Sequence, residues 1–378
     1  MNFNDLTKYT KEDKEKRKLI DDILCVNHSF KISSMKLMSK GVEYSDIAFD
    51  SVQVTKYCPK CGREYPEDEN FCFECLIALK EIKSVDVRDI KIKPVFDITK
   101  TNNYDSFEDI FSGENLEKIT KFDFKVRDLK EIINSIKRTA FRRLDGAIKE
   151  NDINLKYLSV LDKVTLFSKA FVELEYKSYG EELGYYEFGK IYVDDRQSDA
   201  LQITTILHEL THFLIKEITS HILCHILDCS KTTQIESLSV FILSYSALNR
   251  LMDEYAAHTV EGRFTLFGYQ DYSSYLSIEK TIDLEPDEIE MLKTIGNSFA
   301  NYIKEILESF IDRDMLEDIK EQFRRDVMDS PDYRNLSFEN CTLLNNRGMV
   351  QALKMIIVDG FAISMDNIDT LMEYDSQW

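Results

Sequence analysis

The sequence predicts an α+β, mainly helical protein: a small sheet feeding two long helices, a cysteine-rich module before them, and helical flanks. Three observations predict it. Apolar residues recur at Ile203, Ile206, Leu207, Leu210, Leu214, Ile218 and Ile222, which is helical spacing. The run from Gly184 to Val193 is aromatic and β-branched, as in a strand or tight hairpin. Four cysteines fall into two CxxC pairs, at Cys58/Cys61 and Cys72/Cys75.

Taken in order, residues 1–56 read as a helical arm with pairs such as Leu19-Ile20, followed by a β-like stretch. Residues 57–100 hold the cysteines, and 81–100 alternate through Ile82, Val85, Val87, Ile90, Ile92 and Val95 as one or two further strands. The polar Thr101-Asn102-Asn103-Tyr104-Asp105 reads as a linker opening a helical region, 101–180. Within 181–265, Asp199 and Gln202 resemble a capping box for the first long helix. A second long helix is expected from a Thr233/Glu236 cap to Gly262, a natural terminator. Residues 266–378 read as acidic amphipathic helices: from Thr281 onward there are 9 basic against 21 acidic residues.

Composition narrows the function classes. The chain of 378 residues carries a net charge of −20, which disfavours nucleic acid, since phosphate binding needs a basic face. The start, Met-Asn-Phe-Asn-Asp, lacks the basic-then-apolar pattern of a secretion signal, and no run of eighteen apolar residues occurs. The expectation is a soluble cytoplasmic protein with no membrane partner, its paired cysteines serving metal rather than disulfides. No phosphate-cradling glycine loop or nucleophile-elbow serine is present.

The chemistry centres on His208-Glu209-Leu210-Thr211-His212, an HExxH inside the first long helix. Histidines four apart project from one helix face, so both imidazoles reach one ion, with Glu209 placed to act on water as general base. Catalytic zinc usually takes three protein ligands, and no histidine follows at HExxHxxGxxH spacing. The third ligand is therefore expected to be a carboxylate on the second helix. Glu254 is the leading candidate, Asp253 the fallback and Glu261 a distant third; Ala256 and Ala257 beside them would allow close approach to the HExxH helix.

A strand-like edge, then T-I-L-H-E-L-T-H, then a helix carrying D-E-Y-A-A, resembles the minimal gluzincin core over about residues 180–265. Within that group it is most similar to ImmA/IrrE-type metallopeptidases and more loosely to SprT-like ones. The resemblance implies His208, His212 and Glu254 as zinc ligands, Glu209 as base, and a protease acting on few protein targets, often transcriptional regulators. The spacing from His212 to Glu254 is long for that family. A thermolysin-like pattern would also place Asp where this chain has His258, which is left to orient a ligand, donate to the oxyanion or cap the helix.

Cys58, Cys61, Cys72 and Cys75 form CxxC–x10–CxxC, each pair able to turn both sulfurs onto one ion, with Gly62 suited to the left-handed backbone of such a turn. The pattern resembles a short zinc ribbon, with Leu76 where a glycine often follows the second pair. Two basic against five acidic residues within 58–75 again argue against phosphate contact. His221, Cys224, His225 and Cys229 make a tempting further cluster, but at about 100° per residue His221 and His225 point away from His208 and His212. The expected whole is a minimal zincin core, small sheet plus HExxH helix and third-ligand helix, with an N-terminal zinc ribbon and helical flanks. It would hold one catalytic and one structural zinc and hydrolyse peptide bonds. The competing expectation is an inactive zincin serving as a protein-interaction scaffold.

Overall fold

The computed structural model describes residues 54–376 except 84, 94–97, 178–182, 188, 266–278, 280–283 and 327–342. The arm expected before residue 54 lies outside them, as do Cys25 and Cys341. The chain is α+β and mainly helical, and it divides into two units, Met1–Ile82 and Lys83–Trp378.

In the first unit, strand β1 (Val54–Tyr57) pairs antiparallel with β2 (Glu64–Pro66) on one side and β5 (Lys80–Glu81) on the other. Strands β3 (Phe71–Cys72) and β4 (Ile77–Ala78) form a separate antiparallel pair. These strands are short because their work is local: they carry the chain into and out of two cysteine turns.

The second unit begins differently from expectation. Past β5, which touches the start of the stretch 81–100 read as one or two strands, residues 85–92 hold a turn at 87–89 and no strand, and Val95 lies outside the described residues. Val87 and Ile90 are buried against Ala147, Ile153 and Leu166, and the buried Lys169 ammonium donates to the carbonyls of Val87, Arg88 and Ile90. A lysine thus takes the carbonyls that a partner strand would otherwise pair. Residues 101–105 are no loose linker. Asn102 bridges to Cys229 and accepts from the Ser230 amide, while the Tyr104 carbonyl accepts from Thr232.

Helices α1 (Phe107–Ile110), α2 (Gly113–Lys121), α3 (Val126–Glu150) and α4 (Val160–Lys169) follow, with serine caps Ser106, Ser112 and Ser159 on α1, α2 and α4. A three-stranded sheet comes next, in the order β6 (Glu173–Lys177), β8 (Lys190–Asp194), β7 (Gly184–Glu187). Strand β6 runs parallel to β8, with Leu174 opposite Ile191; β7 runs antiparallel to it, with Gly184 opposite Val193. Ile191 and Val193, two apart, are fully buried and define the inner face.

Helix α5 (Asp199–Leu227) carries the HExxH segment. Its cap is Ser198, whose Oγ accepts from the Leu201 amide, rather than an Asp199/Gln202 box; Gln202 instead donates to the Gln197 carbonyl. Most of its surface is buried, so it is the central core helix, and Thr204, Thr211 and Thr219 satisfy their hydroxyls by donating to the carbonyls of Ala200, Leu207 and Ile215 one turn back.

The single helix expected over 233–262 is two. Helix α6 (Thr233–Tyr245) ends where Ser246 turns extended (φ −78°, ψ 124°), and α7 (Ala247–Phe264) begins there. The Asn249 side chain donates to the Ile242 carbonyl at 2.8 Å, replacing the lost helical bond, while Gly262 lies inside α7 and does not end it. Helix α8 (Pro286–Leu307) presses closely on α7: a Cβ on Gly296 would sit 2.9 Å from the Met252 carbonyl oxygen. Helices α9 (Arg313–Asp326), α10 (Asn346–Asp366) and α11 (Ile368–Asp375) complete the chain. Among the described residues, α10 alone is long and apolar enough to cross a membrane, and half of that stretch is buried inside the fold.

Candidate metal centre

Helices α5 and α7 pack together, and the break at Ser246 gives α7 its own direction against α5. At about 100° per residue, Asp253, Glu254, Ala257, His258 and Glu261 fall on one stripe of α7. Ala257, with no side chain beyond Cβ, sits within that stripe; Ala256 lies off it and is approached by Gly296 of α8.

Facing this stripe are His208 and His212. His212 Nε2 lies 3.2 Å from His208 Nε2, and Glu254 Oε2 lies 3.6 Å from the first histidine's Nε2 and 3.9 Å from the second's. Ligand atoms around a tetrahedral zinc, at about 2.0–2.1 Å from it, would be separated by about 3.4 Å. The three donors therefore form a group that could hold a metal ion, and their chemistry, two imidazoles and a carboxylate, suits a divalent one. Of the three candidate carboxylates, Glu254 is the one that converges on both Nε2 atoms.

The other two turn to the far side of the rings. Asp253 Oδ2 lies 2.8 Å from His212 Nδ1, and Glu261 Oε2 lies 3.2 Å from His208 Nδ1. Each carboxylate holds the Nδ1 proton and so presents Nε2 as the free ligand atom. This pairing escaped the sequence reading, which weighed both residues only as ligands; its signal was carboxylates one residue before and seven after Glu254 on one helical stripe. His258 is buried on the same side, its ring edge-to-face with His208 at 4.6 Å and its Nδ1 3.3 Å from Glu261 Oε2. Glu261, His208 and His258 form a second group of metal-binding type, sharing His208 with the first.

Charge follows from these contacts. Burial alone would push His208 towards its neutral form, but Glu254 and Glu261 hold it well above the ordinary histidine range. His212 is likewise opposed by burial and raised by Asp253, to about 9. Glu209 is buried, and that desolvation lifts its carboxyl above the usual range against the pull of both imidazoles.

The helix face that carries Glu209 is flanked by β7. A Cβ on Gly184 of β7 would sit 2.5 Å from Thr205 Cγ2, and the Tyr186 ring stands edge-on to Phe213 at 6.1 Å. Thr205, Glu209 and Phe213 share one face of α5. Strand β7, one of the sheet's two edge strands, thus runs beside the face that carries Glu209.

In the first unit, the Sγ atoms of Cys58, Cys61, Cys72 and Cys75 all lie within 4.8 Å of one another, with Cys61 and Cys72 at 3.8 Å. Sulfurs about 2.3 Å from a tetrahedral ion stand about 3.8 Å apart. The Tyr65 hydroxyl donates to Cys72 Sγ at 3.1 Å and is the main cause that lowers that thiol to about 6. Tyr65 was not anticipated; an aromatic four residues past Cys61 is an ordinary strand residue by its spacing.

The cluster at the end of α5 is not a metal group among the described residues. His221 Nε2 donates to Glu217, Cys224 and Cys229 hydrogen-bond each other, and His225 stands edge-on to Phe124. A buried charge network takes its place: Glu217, fully enclosed, receives Lys231 at 2.8 and 2.9 Å, and Lys216 lies 3.2 Å from Glu236. Compared with protein-family models, with curated proteins and with solved structures, the chain gives no match.

Proposed function

We propose that the chain is a zinc-dependent metalloendopeptidase of gluzincin type, similar to ImmA/IrrE-like enzymes, and that the four cysteines form a zinc ribbon around a second, structural zinc. The observation that carries this reading is the convergence of His208, His212 and Glu254 with Glu209 one residue along the same helix. Zinc, when bound there, supplies Lewis acidity towards water and the peptide carbonyl. The chain's own groups do the rest. Glu209, raised by burial and so matched to proton exchange nearer neutral pH, takes a proton from the attacking water and returns it to the leaving nitrogen. Asp253 and Glu261 fix the histidine tautomers, and His258 acts as a positioning residue through Glu261 rather than as a group touching substrate. The outer edge of β7 suits an extended peptide added as a further strand beside Glu209.

The resemblance extends to one or a few protein targets, such as a transcriptional regulator, cleaved in the cytoplasm. Replacing Glu209 with Gln tests the reading: zinc content stays near two per chain while cleavage of partners trapped in cells stops. Persisting cleavage would remove Glu209 as the base, and a single zinc that survives loss of His208 and His212 would favour a non-catalytic scaffold.

A further inference from the structure

The two cysteine turns of the first unit share one backbone and differ in the residue that takes its left-handed position. In the first, the Gly62 amide donates to the Cys58 carbonyl at 2.8 Å, with Gly62 at φ +71°. In the second, the Leu76 amide donates to the Cys72 carbonyl at the same 2.8 Å, with Leu76 at φ +55°. Glycine meets this left-handed backbone without cost; a leucine pays for its Cβ. Nor does Leu76 recover that cost by burial, since it is 71% exposed. Phe73, in the same turn, is 73% exposed, and Phe71, edge-on to it at 6.0 Å, is 39% exposed. A strained, solvated leucine beside two solvated phenylalanines serves neither the turn nor solubility.

We infer that Phe71, Phe73 and Leu76 form a docking face for a basic, apolar segment of a protein partner. The charge around them selects that chemistry. Among the described residues of this unit the exposed acids number five against three exposed bases, Lys60, Arg63 and Lys80, and Arg63 is paired with Glu74 at 2.6 Å. Four thiolates around one divalent ion would add a further net negative charge. An acidic or phosphate-bearing partner would be repelled, whereas lysines flanking an apolar stretch would meet carboxylates around an aromatic centre. This inference uses no residue of the histidine site and stands whether or not that site is catalytic.

The test uses the full-length, zinc-loaded chain carrying Glu209→Gln, probed on an array of 15-residue peptides of random sequence. The expected result is enrichment of peptides combining Lys or Arg with Phe, Leu or Ile. Leu76→Gly and Phe73→Ser should each weaken the best of these about tenfold or more in solution. Leu76→Gly should at the same time hold its ribbon zinc more firmly against chelator, because the backbone strain is relieved. Unchanged peptide binding in both variants would overturn the inference, as would preference for acidic peptides or no binding at all. Loss of the ribbon zinc in Leu76→Gly would overturn it too, because Leu76 would then serve the fold.

Discussion

Asp253 Oδ2 and His212 Nδ1 stand 2.8 Å apart, so the carboxylate next to Glu254 in sequence serves a histidine rather than an ion. Neighbouring residues on α7 thus divide the labour: Glu254 offers an oxygen where the two Nε2 atoms meet, and Asp253 fixes which nitrogen His212 offers. Asp253→Asn keeps the shape but loses the charge that holds the Nδ1 proton. On the proposed reading, zinc affinity at the histidine site should fall about 10- to 100-fold, read by chelator competition, while any metal held by the four cysteines is retained. Glu254→Gln, which alters the ligand itself, should be the more damaging of the two.

The same pair sets a pH dependence in metal-free protein. His212 is raised from its ordinary 6.5 to about 9, so the folded state binds its proton more tightly than the unfolded chain does. Its contribution to stability is therefore fully present below about 6.5 and is lost as pH rises through 9. Chelator-treated protein should melt at lower temperature at pH 9.5 than at pH 6.5, and Asp253→Asn should flatten that slope. Zinc uptake runs the other way and strengthens over the same interval, because the ion must displace the proton.

Further along α5, Glu217 is held well below the ordinary carboxylate range: burial opposes ionisation, but Lys231, Lys216 and His221 outweigh it. A depressed carboxylate contributes stability above its unfolded value near 4.5 and loses it as pH falls through the lower folded value. Glu217→Gln leaves two buried ammonium groups short of a partner and should cost about 3–5 kcal/mol at pH 7. Denaturant unfolding should show the gap between variant and wild type closing as pH falls below 4.5. An equal gap at pH 7 and pH 3 would count against this account.

How much of this was legible in the residues differs by element. The helix carrying HExxH could be read because its apolar period runs through the motif, and Glu254 was expected on the second helix, where the structure brings it near both Nε2 atoms. The tasks of Asp253 and Glu261 depend on how α7 is rotated against α5, a tertiary quantity that residue type does not carry. The break at Ser246 was hidden for a related reason. Apolar spacing runs on through Ile242, Leu243 and Leu251, while the helix is ended locally by an extended serine and by Asn249 bonding back to Ile242. Residues 85–92 alternate like a strand, yet their carbonyls go to Lys169, which lies some eighty residues away in sequence.

Gly184 offers a separation of binding from turnover. A Cβ there would sit 2.4 Å from the Tyr192 carbonyl oxygen and 2.5 Å from Thr205 Cγ2. Tyr192 is the central strand's backbone and Thr205 is a packed helix position, so the new methyl group cannot be absorbed by a rotating side chain. Strand β7 must move outward from α5 instead. His208, His212 and Glu254 lie on α5 and α7, so on the proposed reading Gly184→Ala should bind metal as the wild type does. Its kcat/KM on a peptide substrate should fall about 100-fold if β7 holds the peptide beside Glu209, since a displacement near 1 Å has that scale of effect. Overpacking should also lower stability by about 1–3 kcal/mol, measured by urea unfolding. Full activity in a variant with shifted stability would detach β7 from substrate binding and leave it a structural edge.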